Sequence, residues 1–361
     1  MKKILILTSV KTGFGHKASS NAIEKKLRDK GFETRQLDVF PLMGRLGETM
    51  ENSYIPLTTK APFIYYICQR ISEYFPWFIH CQMYRRVKEN LLKEIRSFQP
   101  DLILSVQCMF TKSISRIIKE NALPIPFHVG VIDLVDPPKV WEDKEADITY
   151  VPTQEIKEKY QKKGFTEQKV IVTGFPTRDD IYVRKEAKTI GDSIRILMIN
   201  ASTDLKKNLR FLEEVSRLEN VRIDFVCGLD QRLYETLQER KAEKKLPDHV
   251  QIHGFVDNVN EYLRDSHLIL TKAGPNIIAE AIRSDTAIVL TGHIHGQEDH
   301  NYRYVLEQGF GIRCEKPSEI YALLKRFIES GELKRCLETL IVRQTDNGAD
   351  RIAEHIADCL Q

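Results

Sequence analysis

The residues of this chain best placed for chemistry are a lysine, a glycine and a proline, followed at loop distance by carboxylates and amides. Lys272-Ala273-Gly274-Pro275 follows the apolar run His267–Thr271, which reads as a short buried strand. Beyond it Ile277, Ile278, Ala281 and Ile282 recur at helical spacing. Gly274 suits an N-cap, and Pro275 the first helical turn, where a missing N–H costs nothing. A second apolar run, Thr286–Thr291, leads into the polar stretch Gly292–Asn301, which is expected to be a loop. Two strand ends facing one helix N-terminus make a crevice whose N–H groups favour a phosphate. Glu280, Gln297, Glu298 and Asn301 add hydroxyl-binding side chains on the same rim. The combination fits a nucleotide-sugar site. Taken alone, Glu280 would read as a solvated helix residue.

A second candidate lies near the N-terminus. The buried-strand run Ile4–Val10 is followed by Lys11–His16, and Ala18, Ala22, Ile23 and Leu27 then share one helical face up to Gly31. Gly13-Phe14-Gly15-His16-Lys17-Ala18 fits G-x-G-x-x-A, with Asp38 at a workable distance, which is the outline of a dinucleotide fingerprint. Against that reading, several residues separate the strand from Gly13, and a charged His-Lys pair opens the helix. The other reading is a tight turn presenting His16 at a strand end, where a histidine acts as a base near neutral pH. A lone histidine at a helix start with no role is the bland alternative.

Tyr54–Tyr84 is unusual in holding nine aromatic residues, among them Tyr65, Tyr66, Trp77 and Phe78. Arg85, Arg86, Lys88, Lys93 and Arg96 follow directly. An apolar surface beside a basic rim suits membrane contact or a groove for an apolar acceptor. Burial in an ordinary helical core is equally compatible with the pattern.

The elements that must position these groups repeat twice. Strand-like runs at Glu33–Val39, Pro100–Val106, Phe127–Leu134, Ala146–Pro152 and Val170–Thr173 complete a first series, with Asp133 and Asp136 where the third of these runs out. A charged stretch, Arg184–Ser193, reads as a linker. Strands are then expected at Arg195–Asn200, Arg222–Cys227 and Val250–His253, helices at Leu205–Leu218 and Leu233–Lys244, and terminal helices at Pro317–Glu329 and Gly348–Cys359. The 361 residues exceed what one core of about 100–200 residues supports. The reading is therefore an α/β protein of two domains, 1–178 and 179–361, whose last helix is free to pack back on the first. Strand-end loops of two such domains imply a cleft.

Composition excludes several classes. With 54 basic and 51 acidic residues the net charge is only +3, which argues against a general nucleic-acid binder. Seven cysteines lie far apart without a CxxC, so buried, inert thiols in a reducing cytoplasm are expected. The chain opens on a strand-like run with no cleavable signal and no span of about 20 apolar residues. Neither D-x-D nor a His/Cys cluster with ligand spacing occurs, so no metal is expected, and no cofactor either.

The motifs TGFGHKASS, VIDL with Trp141, VTGFPTR, HGFVDN, LTKAGPNIIAEA and HGQEDHN together resemble the monogalactosyldiacylglycerol synthase and processive diacylglycerol glucosyltransferase group, which is similar to glycosyltransferase family 28. More distantly they resemble the bacterial enzyme that completes lipid II. The resemblance spans roughly positions 8–312 and implies the glycosyltransferase B fold, two Rossmann-like domains facing across a cleft. It implies an inverting transfer of glucose or galactose from UDP-glucose or UDP-galactose to a lipid acceptor such as diacylglycerol. The place would be the cytoplasmic membrane face, with the protein peripheral to an anionic membrane surface. By the same resemblance the N–H groups around Gly274, Pro275 and Asn276 would hold the diphosphate and Glu280 the ribose, with Lys272 and Asn301 also on the donor side. Gln297 and Glu298 would hold the hexose. Phe255 would flank the uracil, and Arg178 would reach the nucleotide. His16 would be the base. Phe14, Tyr65, Tyr66, Trp77, Phe78, Arg85, Arg86, Asp133 and Trp141 would serve the acceptor and membrane side.

Three departures from the family pattern stand out. Asn200–Asn208 has no glycine where the family has a glycine-rich loop. Phe14 replaces a glycine of the family's GGGH loop. Gln107-Cys108 and Pro137-Pro138-Lys139-Val140 replace two His-Pro pairs. They leave two further readings: a nucleotide-sugar-binding protein with weakened catalysis, and a glycosyltransferase with an acceptor other than diacylglycerol. A dinucleotide oxidoreductase rests on GFGHKA alone.

Overall fold

The computed structural model describes residues 1–10, 14–178, 186–199, 201–202, 204–294, 298–343 and 346–360. Within these, the side chains of residues 14, 54, 55, 58–60, 62 and 69 lie outside the description. The chain divides into two compact units. The first combines the described residues up to 178 with 346–360, and the second holds 186–294 and 298–343.

In the first unit the chain runs β1 (Lys3–Thr8), α1 (Phe14–Asp29), β2 (Glu33–Asp38), α2 (Arg45–Lys60), α3 (Pro62–Tyr74), α4 (Pro76–Phe98) and β3 (Leu102–Ser105). It continues α5 (Thr111–Glu120), β4 (Phe127–Gly130), β5 (Ile148–Val151), α6 (Gln154–Lys162) and β6 (Val170–Val172). These strands form one parallel sheet in the order β2-β1-β3-β4-β5-β6. Ile4, Leu5, Ile6 and Leu7 are all fully buried, as expected of a parallel strand covered on both faces. The edge strand β2 carries Glu33, Arg35, Gln36 and Asp38 and stays half-exposed, a composition that discourages pairing with another chain.

The second unit runs β7 (Ile194–Ile199), α7 (Leu205–Val215), β8 (Val221–Val226), α8 (Gln231–Ala242), β9 (Val250–His253), α9 (Val259–Asp265) and β10 (Leu268–Lys272). It continues α10 (Pro275–Arg283), β11 (Ala287–Gly292), α11 (Asp299–Glu307), β12 (Gly311–Arg313), α12 (Pro317–Glu329) and α13 (Glu332–Val342). Its sheet is also parallel, in the order β12-β11-β10-β7-β8-β9.

The last helix, α14 (Gly348–Leu360), belongs to the first unit. Its Ala349, Ile352, Ala353 and Ile356 share a core with Ala22, Ile23 and Leu27 of α1 and with Ile4, Ile6, Leu102 and Leu104 of the sheet. Two glycines make this docking feasible. Gly174 has φ +84°, and a Cβ there would stand 2.5 Å from the Asp346 carbonyl oxygen. A Cβ on Gly348 would stand 2.2 Å from the Gly174 carbonyl oxygen. The two segments thus cross backbone to backbone. Thr177 N–H donates to Asn347 Oδ1 at 3.1 Å beside the crossing.

Several expectations need correction. The polar stretch Gly292–Asn301 is not all loop, because α11 begins at Asp299. The short elements α9 and β12 went unforeseen, and so did α13, although its Leu333, Cys336, Leu337 and Leu340 recur at helical spacing. The expected strand Phe127–Leu134 stops at Gly130; Val131 N–H still reaches Tyr150 O at 2.9 Å before the chain leaves the sheet. The described part of the linker is anchored in the second unit, where buried Lys188 Nζ donates to Leu263 O, Ser266 O and Thr286 Oγ1 at 2.6–2.8 Å. Finally, the thiols are not uniformly buried, since Cys68 and Cys359 are exposed.

Candidate functional site

Strand order fixes where sites belong. In open parallel sheets a ligand crevice forms at the carboxyl ends where the order of connection reverses. In the second sheet that switch lies between β7 and β10, and in the first between β1 and β3. Both stretches singled out from sequence fall at these points.

At the second-unit switch, β10 ends at Lys272 and α10 starts at Pro275. Gly274 is its extended N-cap, with φ −67° and ψ 137° and no side-chain cap. The first-turn N–H groups and the helix dipole therefore face outward from the strand end, the arrangement that favours an anion. Among the described residues, a Cβ on Gly274 would meet nothing nearer than 3.8 Å. None of the described residues demands a glycine at this position. Glu280 is buried, against the expectation of a solvated helix residue taken alone. The Glu298 carboxylate lies beside Gly274, with Oε2 accepting from Ile294 N–H at 2.7 Å. Asn301 is buried and donates through Nδ2 to Ala273 O at 2.7 Å, so it braces the strand-to-helix turn. Burial lowers the pKa of Lys272, and the nearby Glu298 charge opposes that shift. Gln297 lies outside the described residues, as do Asn200 and Thr203 of the glycine-free loop. The described part of that loop is tied to itself: the Asn208 side chain accepts from Ser202 N–H and donates to Ser202 O, both at 2.8 Å. Phe255 is exposed after β9, and Arg178 is half-buried at the end of the described first-unit segment.

Sequence reasoning missed His293, one residue beyond β11. Its Nε2 lies 3.0 Å from Asp299 Oδ1 and its Nδ1 lies 3.1 Å from Glu315 Oε1, which also accepts from Tyr302 Oη at 2.6 Å. The signal was a histidine directly after a buried strand.

At the first-unit switch, His16 Nδ1 lies 2.8 Å from Val106 O, bridging the ends of β1 and β3. A carbonyl only accepts, so Nδ1 carries the hydrogen and Nε2 keeps its lone pair. Burial lowers the His16 pKa, opposed by the Val106 hydrogen bond. A neutral imidazole with an unprotonated Nε2 is the form a general base requires. On the next strand end, Asp133 accepts from Trp141 Nε1 at 2.5 Å. Burial pushes the Asp133 pKa up to about 6, the Trp141 hydrogen bond opposes this, and Asp136 adds to it. Burial and the Asp133 charge push the Cys108 thiol far above its usual range, which removes it as a nucleophile. Gln107, in place of the family's histidine, is buried and caps the following turn by accepting from Met109 N–H at 3.0 Å. Trp141 is fully buried, so as a membrane contact it is excluded. Its indole is occupied in holding Asp133.

The aromatic segment Tyr54–Tyr84 covers the end of α2, all of α3 and the first part of α4. Phe63, Ile64, Ile67, Tyr74, Phe75, Trp77 and Phe78 are exposed, Phe63 at 73% and Trp77 at 64%, whereas Tyr65 is half-buried and Tyr66 borderline at 38%. Arg70, Arg85 and Arg86 are exposed close by in sequence, and Arg70 stacks 4.8 Å from the Tyr74 ring centroid. This face is therefore not core. The Phe14 side chain and the nucleotide-motif residue Gly13 lie outside the description.

Residues 16–177 match the family model for monogalactosyldiacylglycerol (MGDG) synthase, and residues 202–355 match the glycosyltransferase family 28 C-terminal domain. The chain belongs to this family of glycosyltransferase sequences. Monogalactosyldiacylglycerol synthase 1 of Arabidopsis thaliana is 26% identical over 349 residues, covering 88% of this chain and 63% of the relative. The chain thus spans less than two thirds of that plant protein. The processive diacylglycerol beta-glucosyltransferase of Bacillus cereus is 22% identical over 99% of this chain and 93% of its own length. Among solved structures, Acinetobacter baumannii MurG superposes with a TM-score of 0.67 at 14% identity, covering 99% of this chain and all of that one. The fold is the glycosyltransferase B fold. Within the MGDG synthase match lie His16, Val106, Asp133 and Trp141. The family 28 match takes in Lys272 to Asn301.

Proposed function

We propose that the chain is an inverting, UDP-sugar-dependent hexosyltransferase that passes glucose or galactose to a diacylglycerol-type lipid at a membrane surface. The observation that carries this reading is the start of α10 at Gly274, which has no side-chain cap, with the Glu298 carboxylate beside it and Glu280 buried further along the same helix. Main-chain N–H dipoles there would stabilise the UDP leaving group as charge develops on it. Glu280 and Glu298 would accept hydrogen bonds from sugar hydroxyls, Glu298 sharing the hexose with Gln297. His16 Nε2 would take the proton from the acceptor hydroxyl as that oxygen attacks the anomeric carbon. Attack from the face opposite UDP, through an oxocarbenium-like state, gives a β-glycoside. The names of the relatives point to diacylglycerol.

No helix among the described residues is long and apolar enough to cross a membrane. The exposed aromatic face of α3 and α4, flanked by arginines, instead supports peripheral attachment to an anionic bilayer. Radiolabelled UDP-glucose and UDP-galactose, supplied with vesicles holding diacylglycerol, test the proposal. Label is expected in the lipid phase. Tight UDP binding without transfer would favour a protein with weakened catalysis, for which the self-tied loop at Ser202 and Asn208 is the motivating observation. Label entering a different lipid would redirect the acceptor.

A further inference from the structure

His293 has no part in the reading above. It is the first residue past β11, and its ring, 9% exposed, lies between two carboxylates. Nε2 is 3.0 Å from Asp299 Oδ1 at the start of α11, and Nδ1 is 3.1 Å from Glu315 Oε1, two residues past β12. An ionised carboxylate only accepts, so both ring nitrogens carry a hydrogen and the ring is an imidazolium. A charge this enclosed is sustained only by such partners. Glu315 Oε1 also accepts from Tyr302 Oη at 2.6 Å and pairs with Arg313 Nη2 at 3.0 Å. The Tyr302 ring stands edge-on to the His293 ring, with centroids 4.5 Å apart. The next residue extends the contact. Ile294 N–H donates to Glu298 Oε2 at 2.7 Å, and Ile294 O accepts from Glu298 N–H at 3.0 Å. Residues 293 and 294 thus pair with 299 and 298 and close the base of the turn between β11 and α11. Glu298 Oε1 lies 3.8 Å from the place a Cβ on Gly274 would take.

We propose that His293 is a positioning residue for the sugar donor. Its imidazolium, clasped by Asp299 and Glu315, fixes Ile294 and through it the Glu298 carboxylate that receives the hexose. It acts through the chain and not on substrate. The inference rests on Glu298 being a hexose ligand. Its consequence is selective, because the clasp belongs to the β11–α11 turn, whereas the N–H groups that would receive the diphosphate belong to α10. Loss of the clasp should therefore weaken UDP-hexose and spare UDP.

The test compares His293→Leu, Asp299→Ala and Asp299→Asn with the parent in three measurements. These are calorimetric affinities for UDP, UDP-glucose and UDP-galactose, KM and kcat with the hexose donor that is transferred, and the nitrogen-15 ring shifts of His293. In the parent both ring nitrogens should read as protonated at neutral pH. His293→Leu should weaken UDP-hexose roughly tenfold or more, the usual result of losing a hydrogen bond to a charged group. UDP itself should stay within about twofold, and KM should rise more than kcat falls. Asp299→Ala should act in the same sense to a smaller extent. Asp299 is exposed, so this variant decides the matter if His293→Leu does not fold. Asp299→Asn should recover most of the loss, since an amide oxygen still accepts from Nε2–H. Parental affinities, or equal weakening of UDP and UDP-hexose, in the variants that remove the clasp would overturn the proposal. So would equal damage from Asn and Ala, or a neutral His293 ring in an active parent. If the parent neither binds nor transfers a UDP-hexose, the functional reading fails and the positioning role falls with it. The ring shifts tell that failure from a failure of the clasp itself.

Discussion

The two switch points are built from different materials. In the second unit, one contiguous stretch supplies strand, cap, helix and return strand, so Lys272, Gly274, Glu280 and Asn301 are brought together by local chain geometry. In the first unit, the partners come from across the sequence. His16 meets Val106 O ninety residues on, whereas Asp133 meets Trp141 eight residues later in the same β4–β5 connection. The second site is a rigid receptor made mostly of main chain, and the first is a set of titratable groups held in register by a sheet. Recognition of an invariant diphosphate suits the former, and proton handling on a variable acceptor the latter.

The sharpest way to break this contrast is to remove the imidazole. His16→Ala should lower transfer by about 10²–10⁴, the range for loss of a positioned acid or base, with UDP affinity nearly intact. Steady-state kinetics beside calorimetric UDP titration checks it. A loss of UDP affinity equal to the loss of kcat/KM would dissolve the division between the two sites.

The complementary experiment alters the receptor alone. Because among the described residues a Cβ on Gly274 meets nothing nearer than 3.8 Å, Gly274→Ala should fold with an unchanged melting temperature. If UDP fills that space, the methyl should weaken its binding by about 1–3 kcal/mol, the usual cost of overpacking a filled site. Parental UDP affinity in the variant would move the diphosphate elsewhere.

The same contrast explains what could be read before the fold was known. The second-unit crevice was legible because its strand, cap and helix signals are adjacent. Even there, Gly292–Asn301 hid the start of α11, whose first turn mixes Asp299, His300 and Asn301 without an apolar period. In the first unit His16 was legible as a candidate, but its partner was not, because a main-chain carbonyl leaves no mark in composition. Trp141 entered only through the resemblance, as part of the acceptor and membrane side, and only the fold reveals that it is fully buried. The aromatic segment was undecidable from periodicity, since a helix apolar over a broad arc is equally core or membrane face.

That last ambiguity now has a spectroscopic handle. Both tryptophans of the chain, Trp77 and Trp141, lie in the first unit, and only Trp77 is exposed. Anionic vesicles should therefore shift the emission of Trp77 to the blue and leave Trp141 unchanged. Trp77→Ala should remove the shift and weaken vesicle binding by about 1–2 kcal/mol, somewhat less than full burial of a large apolar side chain. No emission change on binding to vesicles at low salt would place the contact on another face.

The smallest effect at neutral pH concerns how the first unit tolerates acid. His128 on β4 is buried, with Nδ1 2.9 Å from Tyr150 Oη, which lies 3.0 Å from His355 Nδ1 on α14. Burial, and secondarily the His355 charge, lower the His128 pKa to about 3. An unfolded chain protonates this ring near its ordinary value of about 6.5. Between those limits the unfolded state binds a proton that the folded state refuses, so stability falls as pH drops from about 6.5 toward 3. His80, lowered to about 4 chiefly by burial, acts in the same sense. His128→Phe should keep the Tyr150–His355 bond and cost little at pH 7. On acidification its urea midpoint, followed by tryptophan fluorescence, should decline less steeply than the parent's. Since both fluorophores report the first unit, the measurement isolates the half of the molecule whose site is built from titratable groups. Parallel acid limbs in variant and parent would show that His128 is not among the groups that set them.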